Sequence, residues 1–292
     1  MAEINFELDK KRVRLAFERA AGSYDAAAVL QREIANRMLA RLDLIKAVPN
    51  EILDVGSGTG YCAAQLQKRY RRARLLEIDI ARAMLARARA NAGWFSRRHF
   101  ICGDAEALPL APDSVGMLIS NLTLQWCNPD VALREFARVL RPGGLLMFTS
   151  FGPDTLRELR EAWRAVDDYP HVHTFIDMHD LGDALVRAGF ADPVMDVERF
   201  TLTYPDVMQV LRDLKSIGAH NAEKRRISGL TGKQRFARFK TAYETRRRDG
   251  LVPATYEAVY GHAWAPLQKP TSYRLQGGDV AIPLSKIGGR RR

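Results

Sequence analysis

The stretch Glu51-Ile52-Leu53-Asp54-Val55-Gly56-Ser57-Gly58-Thr59-Gly60 decides the fold of this 292-residue chain. Its first half is a short, mostly apolar run that suits a buried strand, and its second half places glycine at every other position. A helical pattern follows over about 61–70. Strand, glycine turn and helix together form the opening unit of a parallel sheet, in which the glycines let the main chain approach a ligand closely. Moving outward, strands are expected at 73–79, 99–102, 115–120 and 144–150, with helices near 83–91 and 131–140 between them. Such alternation predicts an α/β protein with a doubly wound, Rossmann-like, mostly parallel sheet and helices on both faces.

The flanks complete this picture. Val13, Phe17, Ala20 and Tyr24, then Leu30, Ile34, Met38, Leu42 and Ile45, recur at three- and four-residue steps, so 1–48 is expected to be a helical cap ended by Pro49-Asn50. After Phe151, helices are expected over 155–166 and 179–188. Strands at 194–197 and 200–204 then form an antiparallel pair that brings the sheet to seven. The sheet domain is therefore read as 49–204. Residues 205–265 read as a basic helical extension broken at Gly218, at 229–232 and at Pro253. Residues 266–292 are rich in Gly, Pro, Lys and Arg and are expected to be a flexible tail.

Composition narrows the function classes. Hydrophobic residues make up 47% and charged residues 27%, as in ordinary globular proteins. No apolar run approaches the length of a membrane-spanning helix, and the polar N-terminus does not resemble a secretory signal. A cytoplasmic protein with no membrane partner is expected. Cys62, Cys102 and Cys127 lack C-x-x-C spacing, and no disulfide is expected. The net charge of +11 is unevenly distributed. Residues 1–204 hold 27 basic and 27 acidic residues, whereas 205–292 hold 18 and 7. An acidic protein, a nucleic acid or a membrane surface would each suit that field, and charge alone does not choose among them.

The glycine loop on its own leaves a dinucleotide oxidoreductase open. Two details favour a different ligand. The spacing is G-x-G-x-G over Gly56, Gly58 and Gly60, and Asp54 precedes it where a pyrophosphate would be repelled. An acid there suits a cationic ligand such as S-adenosylmethionine, whose sulfonium and ammonium groups are both positive. Asp54, Gly56, Ser57, Gly58 and Gly60 are thus expected around its amino-acid end. Asp79, closing the second strand, is placed to accept hydrogen bonds from the ribose hydroxyls. Asp104 and Ala105 follow the third strand, where a carboxylate can accept the adenine amino group and an amide can meet the ring. Asn121 follows the fourth, beside the reactive face.

These residues resemble the class I S-adenosylmethionine-dependent methyltransferases over about 50–200. Within them, Ala20-Ala21-Gly22-Ser23-Tyr24-Asp25, Leu30-Gln31-Arg32-Glu33-Ile34-Ala35, Phe151-Gly152-Pro153-Asp154-Thr155-Leu156, His173-Thr174-Phe175-Ile176-Asp177-Met178-His179-Asp180 and Leu214-Lys215-Ser216-Ile217-Gly218-Ala219-His220-Asn221 are similar to the malonyl-acyl-carrier-protein O-methyltransferases that open pimeloyl formation in biotin synthesis. The resemblance reaches about Gly232. It implies methyl transfer to the free carboxylate of a malonyl thioester on acyl carrier protein or coenzyme A, with S-adenosyl-L-homocysteine as the second product. A carboxylate is already ionised at neutral pH, so no acid, base or metal is expected to be needed. The resemblance also places Tyr24 and Phe175 at the cofactor and acceptor.

The cluster of His171, His173, Asp177, His179 and Asp180 lacks the helical spacing of a metal site, and no metal is expected there. Acyl carrier proteins are acidic, which gives Lys215, Lys224, Arg225, Arg226, Lys233 and Arg235 a purpose as carrier contacts. Two other acceptor classes share the same core: quinones or other small molecules, and RNA. Asn121-Leu122-Thr123-Leu124 stands where an amino-methylating enzyme would carry N-P-P-Y, and no nucleic-acid partner is expected.

Overall fold

β1 (Glu51–Val55) lies inside the sheet, buried from Ile52 to Val55. It pairs in parallel with β2 (Arg74–Asp79) on one side and β4 (Val115–Ser120) on the other. The computed structural model describes residues 8–93, 96–223 and 231–267 of the chain. β3 (Arg98–Cys102) continues the parallel sheet beyond β2, and β5 (Leu140–Phe151) continues it beyond β4. The full order is β3-β2-β1-β4-β5-β7-β6, with β6 (Ala191–Tyr204) and β7 (Val252–Trp264) antiparallel to their neighbours.

Helices cover both faces. One face carries α3 (Val29–Ala40), α4 (Tyr61–Arg69), α7 (Arg157–Arg164), α9 (Val207–Ser216) and α10 (Lys233–Glu244), packed through Ile34, Met38, Leu66, Trp163, Val210 and Phe239. The other carries α6 (Pro129–Val139) and α8 (Met178–Arg187), packed through Leu133, Phe136, Leu181 and Leu185. Short polar caps start several of them. The Asn128 side chain accepts from the amides of Asp130 and Val131 with Pro129 as the first helical residue. Asp177 accepts from His179 N, and Asp206 from Gln209 N. α1 (Lys10–Ala20), α2 (Tyr24–Ala27) and α5 (Arg82–Asn91) share a small cluster of Phe17, Ala20, Tyr24 and Met84. There Glu18 of α1 accepts the amides of Arg82 and Ala83 at the start of α5.

The doubly wound sheet forms as expected, but its last two strands are not those the sequence suggested. Residues 194–197 and 200–204 are parts of one long strand, β6, and do not pair with each other. The seventh strand is β7, from within 205–265, which was expected to be wholly helical; α9 and α10 are its helices. β7 inserts between β5 and β6, so it is buried on both faces and loses the polar alternation that marks a half-exposed strand. Its two breakers misled the reading for different reasons. Pro253 sits near the strand's start, where the missing amide is tolerated. Gly261 is required by close packing, since a Cβ there would lie 2.3 Å from Phe148 Cζ. Most of the expected tail, 268–292, lies outside the described residues.

Candidate active site

The C-terminal ends of β1, β2, β3 and β4 open onto a cleft of about 650 Å³. Gly56, Gly58, Asp79, Asp104, Ala105 and Asn121 line it together with Tyr24. A smaller adjoining cavity of about 450 Å³ shares Tyr24, Gly56, Gly58 and Asn121 with the cleft and adds Asp54 and Ser57. The strand ends thus gather all the expected cofactor residues but Gly60.

Gly60 serves the fold. It adopts the left-handed conformation (φ +84°) at the start of α4, and a Cβ on it would lie 1.9 Å from Arg98 Nη2. Arg98 and Glu77 form an ion pair buried beneath this turn, with Nη2 donating to Glu77 Oε2 at 2.8 Å and to the Gly60 carbonyl at 3.2 Å. Gly58 has the opposite character. Its φ is also positive (+55°), but the nearest atom to an added Cβ is Tyr24 Cε1 at 4.0 Å, so its missing side chain opens space in the cleft.

Charge in the site is negative and buried. Asp79 accepts from Gly58 N at 2.9 Å and from Ala81 N at 2.8 Å, yet burial pushes its carboxyl up to about 6. Asp54 is pushed well up by burial, with the Glu77 charge adding to the shift. Asp54 Oδ2 and Ser57 Oγ are buried without a hydrogen-bond partner. These orphaned oxygens beside an open glycine fit the ammonium end of S-adenosylmethionine, since a cation would return Asp54 to its ionised form and satisfy both. Asp79 also lines the cleft, where a carboxylate can accept hydrogen bonds from a ribose diol.

Other expected residues have additional partners. Asp104 Oδ1 receives Lys10 Nζ at 2.7 Å and the Glu106 amide at 3.0 Å, which ties α1 across the cleft and leaves that oxygen engaged. The Asn121 amide donates to the Gln31 carbonyl at 3.2 Å, and its oxygen accepts from Thr149 Oγ1 at 2.7 Å, so it braces the wall. Tyr24 faces both cavities, and burial holds its phenol well above the usual value and therefore protonated. Phe175 lines neither. It belongs to a separate cavity and meets Phe151 edge-on with ring centroids 5.9 Å apart.

Leu122, beside Asn121, and Trp126, expected in the core or a pocket wall, also line the cleft, as do Lys10, Phe17, Ile80 and Met84, which escaped the sequence reading. Ile80 was signalled by its place directly after Asp79. Lys10 carried no local signal, since a distant chain segment brings it in. The histidine cluster is dispersed. His171 pairs with Asp167 at 2.9 Å and stacks on Trp163, and exposed His179 pairs with Asp177 at 2.7 Å. No group of three potential metal ligands gathers among the described residues. Of the basic candidates, Lys215 is exposed in the last turn of α9 and Lys233 is exposed at the start of α10. Arg235 is tied to Asp167. Lys224, Arg225 and Arg226 lie outside the described residues.

The glycine turn and the acids at the strand ends fall inside the segment matched by a methyltransferase domain family, residues 53–148. The chain is 54% identical over 284 residues to the malonyl-[acyl-carrier protein] O-methyltransferase of Laribacter hongkongensis, covering 94% of this chain and 96% of that one. The chain belongs to the malonyl-[acyl-carrier protein] O-methyltransferase family. The Halorhodospira halophila enzyme of the same name is 47% identical over 98% of this chain and 97% of its own length. Among solved structures, the YcgJ protein from Bacillus subtilis superimposes with a TM-score of 0.58 at 16% identity, covering 78% of this chain and 97% of that one, a likeness of fold alone. The protein is an S-adenosylmethionine-dependent methyltransferase. No helix among the described residues is long and apolar enough to cross a membrane.

Proposed function

We propose that this enzyme methylates the free carboxylate of a malonyl thioester, carried by acyl carrier protein or coenzyme A, as the opening step of pimeloyl formation for biotin. The observation that carries the reading is the near full-length identity with relatives bearing that activity in their names. The site chemistry supports it. S-adenosylmethionine, when bound, supplies an electrophilic methyl group. The residues around the cleft bind, orient and exclude water. Asp79 takes the diol, Asp54 and Ser57 take the ammonium end, and Tyr24, Phe17 and Trp126 wall off solvent.

An acceptor carboxylate arrives ionised, so no side chain has to remove a proton from it. The Cys127 thiol in the cleft wall is protected from competing for the methyl group. Burial pushes Cys127 up to about 12, and a protonated thiol is a poor nucleophile.

Incubation with labelled cofactor and separate malonyl-carrier-protein, malonyl-coenzyme-A and RNA acceptors tests the reading. Label is expected in a base-labile methyl ester on a malonyl acceptor and not in RNA. Label in RNA alone would overturn the proposal.

A further inference from the structure

A second cavity, of about 510 Å³, lies beside the cofactor cleft, and Trp126 forms part of the wall of both. Its lining is largely apolar, with Phe151, Leu156, Leu159, Phe175 and Leu214. The buried polar side chains on this wall are almost all satisfied within the fold. Thr155 Oγ1 donates to the Glu257 carbonyl at 3.2 Å and accepts from its amide at 3.0 Å. Asn221 donates to the Pro170 carbonyl and accepts from the Glu223 amide. His171 is paired with Asp167, and the phenol of Tyr256 is bonded to that of Tyr204.

His173 is the exception. It is 6% exposed, and its Nε2 is buried with no hydrogen-bond partner. The ring is held between Trp126 and Phe175, with centroids 4.9 and 4.3 Å away, so the nitrogen cannot easily turn toward a partner elsewhere. A buried nitrogen left open in an otherwise satisfied wall is a vacant half of a hydrogen bond that a ligand can complete.

The charge state of the ring indicates which group completes it. Burial and the nearby Arg160 charge keep His173 neutral at physiological pH, pushing it down to about 4. A neutral ring does not form an ion pair with the acceptor's carboxylate, which would blunt the oxygen that must attack. The other oxygen in a malonyl thioester is the carbonyl next to sulfur.

We propose that His173 donates from Nε2–H to the thioester carbonyl of the acceptor, and so positions the malonyl carboxylate at the opening beside Trp126. The inference rests on the malonyl reading above and adds a binding contact to it. His173 is then a substrate-positioning residue, and the cavity behind Trp126 is the acyl subsite.

The test compares malonyl-carrier protein with its carboxyethyl thioether counterpart, in which a methylene replaces the carbonyl. Both are assayed at saturating cofactor with the wild type, His173→Leu and His173→Gln. The intrinsic difference between the two acceptors cancels when the preference of one enzyme is divided by that of another. The wild type is expected to prefer the thioester by about tenfold more than His173→Leu does, the worth of one hydrogen bond. His173→Gln, which keeps an N–H within reach, should recover part of this, and cofactor affinity should be unchanged in both variants.

An equal preference in wild type and His173→Leu overturns the inference while leaving the activity standing. No turnover of either acceptor by the wild type overturns the activity and the inference together. Should the leucine variant fail to fold, ¹⁵N-histidine-labelled wild type with S-adenosylhomocysteine decides the matter. The His173 Nε2 resonance should move on addition of the malonyl acceptor and stay in place with the thioether, and an equal response to both would overturn the contact.

Discussion

The cofactor side of the sheet, β3-β2-β1-β4, and the acceptor side, β5-β7-β6, are supported in different ways. On the cofactor side most of the candidate cofactor residues sit at or just beyond the ends of parallel strands, and neighbouring strands supply part of their support. Gly56 N, for example, donates to the Ile78 carbonyl at 2.7 Å. On the acceptor side the supports come from far away in sequence. Glu257 of β7 accepts the Asp154 amide at 2.7 Å and so shapes the turn after β5, while Glu158 of α7 accepts the Thr255 amide at 3.0 Å. One side can therefore be perturbed locally, at the ligand, whereas the other couples the pocket to the closure of the whole sheet.

The sharpest break in that contrast is expected at the one place where the cofactor side also depends on a buried interaction. Glu77 is fully buried and paired with Arg98 beneath the glycine turn. Glu77→Ala strands a buried guanidinium and should cost about 3–5 kcal/mol of stability, read by urea unfolding. The double change Glu77→Leu with Arg98→Met should recover most of that loss, because it removes both charges together. A single mutant as stable as the wild type would mean that Arg98 finds water or another partner in solution.

Gly58→Val tests the local character of the ligand side. The added atoms enter open space next to Tyr24, so the chain should fold with roughly 1–2 kcal/mol lost to the left-handed backbone. Cofactor binding should weaken by about 2–3 kcal/mol, since the space removed is the ligand's own. Calorimetry on a variant shown to be folded by circular dichroism separates the two effects. The same substitution at Gly60 is expected to unfold the turn, because the Arg98 side chain fills the position a Cβ would take.

The two glycines also show how far sequence reading carries. Their spacing marked a ligand loop, but the difference in role depends on Arg98, which is 38 residues away along the chain. Asp79 and Asp54 were legible because strand ends in an open α/β sheet point at the ligand whatever the details of the side chains. Lys10 was not, since it reaches the cleft from α1 through tertiary packing alone. β7 was the largest miss. A strand buried on both faces has no alternating pattern, and its partners, β5 and β6, were read as complete without it. Phe175 was expected by resemblance at the cofactor and acceptor, and the structure places it in the second cavity and not in the lining of the cofactor cleft.

Asp79 joins stability to binding, and the two should respond to pH in opposite directions. Its folded pKa is raised from 3.8 to about 6 by burial. As pH falls from above 6 toward 4, the folded protein takes up a proton that the unfolded chain does not, so this group's contribution to stability rises. Cofactor binding needs the ionised form to accept the diol, so affinity should fall over the same window by about tenfold per pH unit below 6. Asp79→Asn should flatten both curves. Asp79→Ala should weaken binding by about 1.5–3 kcal/mol at neutral pH, where the carboxylate is charged. Wild-type affinity that stays level from pH 7 to 5 would assign the diol to another group.

The smallest effect is expected where the molecule meets a carrier. Lys215 and Lys233 are exposed basic candidates on α9 and α10, and neither forms an ion pair among the described residues. Exposed charges act mainly on encounter and are screened beyond about 8 Å at physiological ionic strength. Reversing both to Glu should raise KM for malonyl-carrier protein only a few-fold, consistent with about 0.2–1 kcal/mol per exposed pair. The increase should shrink as salt is added and leave cofactor affinity unchanged. Malonyl-coenzyme A lacks an acidic protein surface and should be affected less. Equal losses on both acceptors would mean that the lysines act on the pocket, which would tie α9 to the acyl cavity through Leu214, one residue before Lys215 and on its wall.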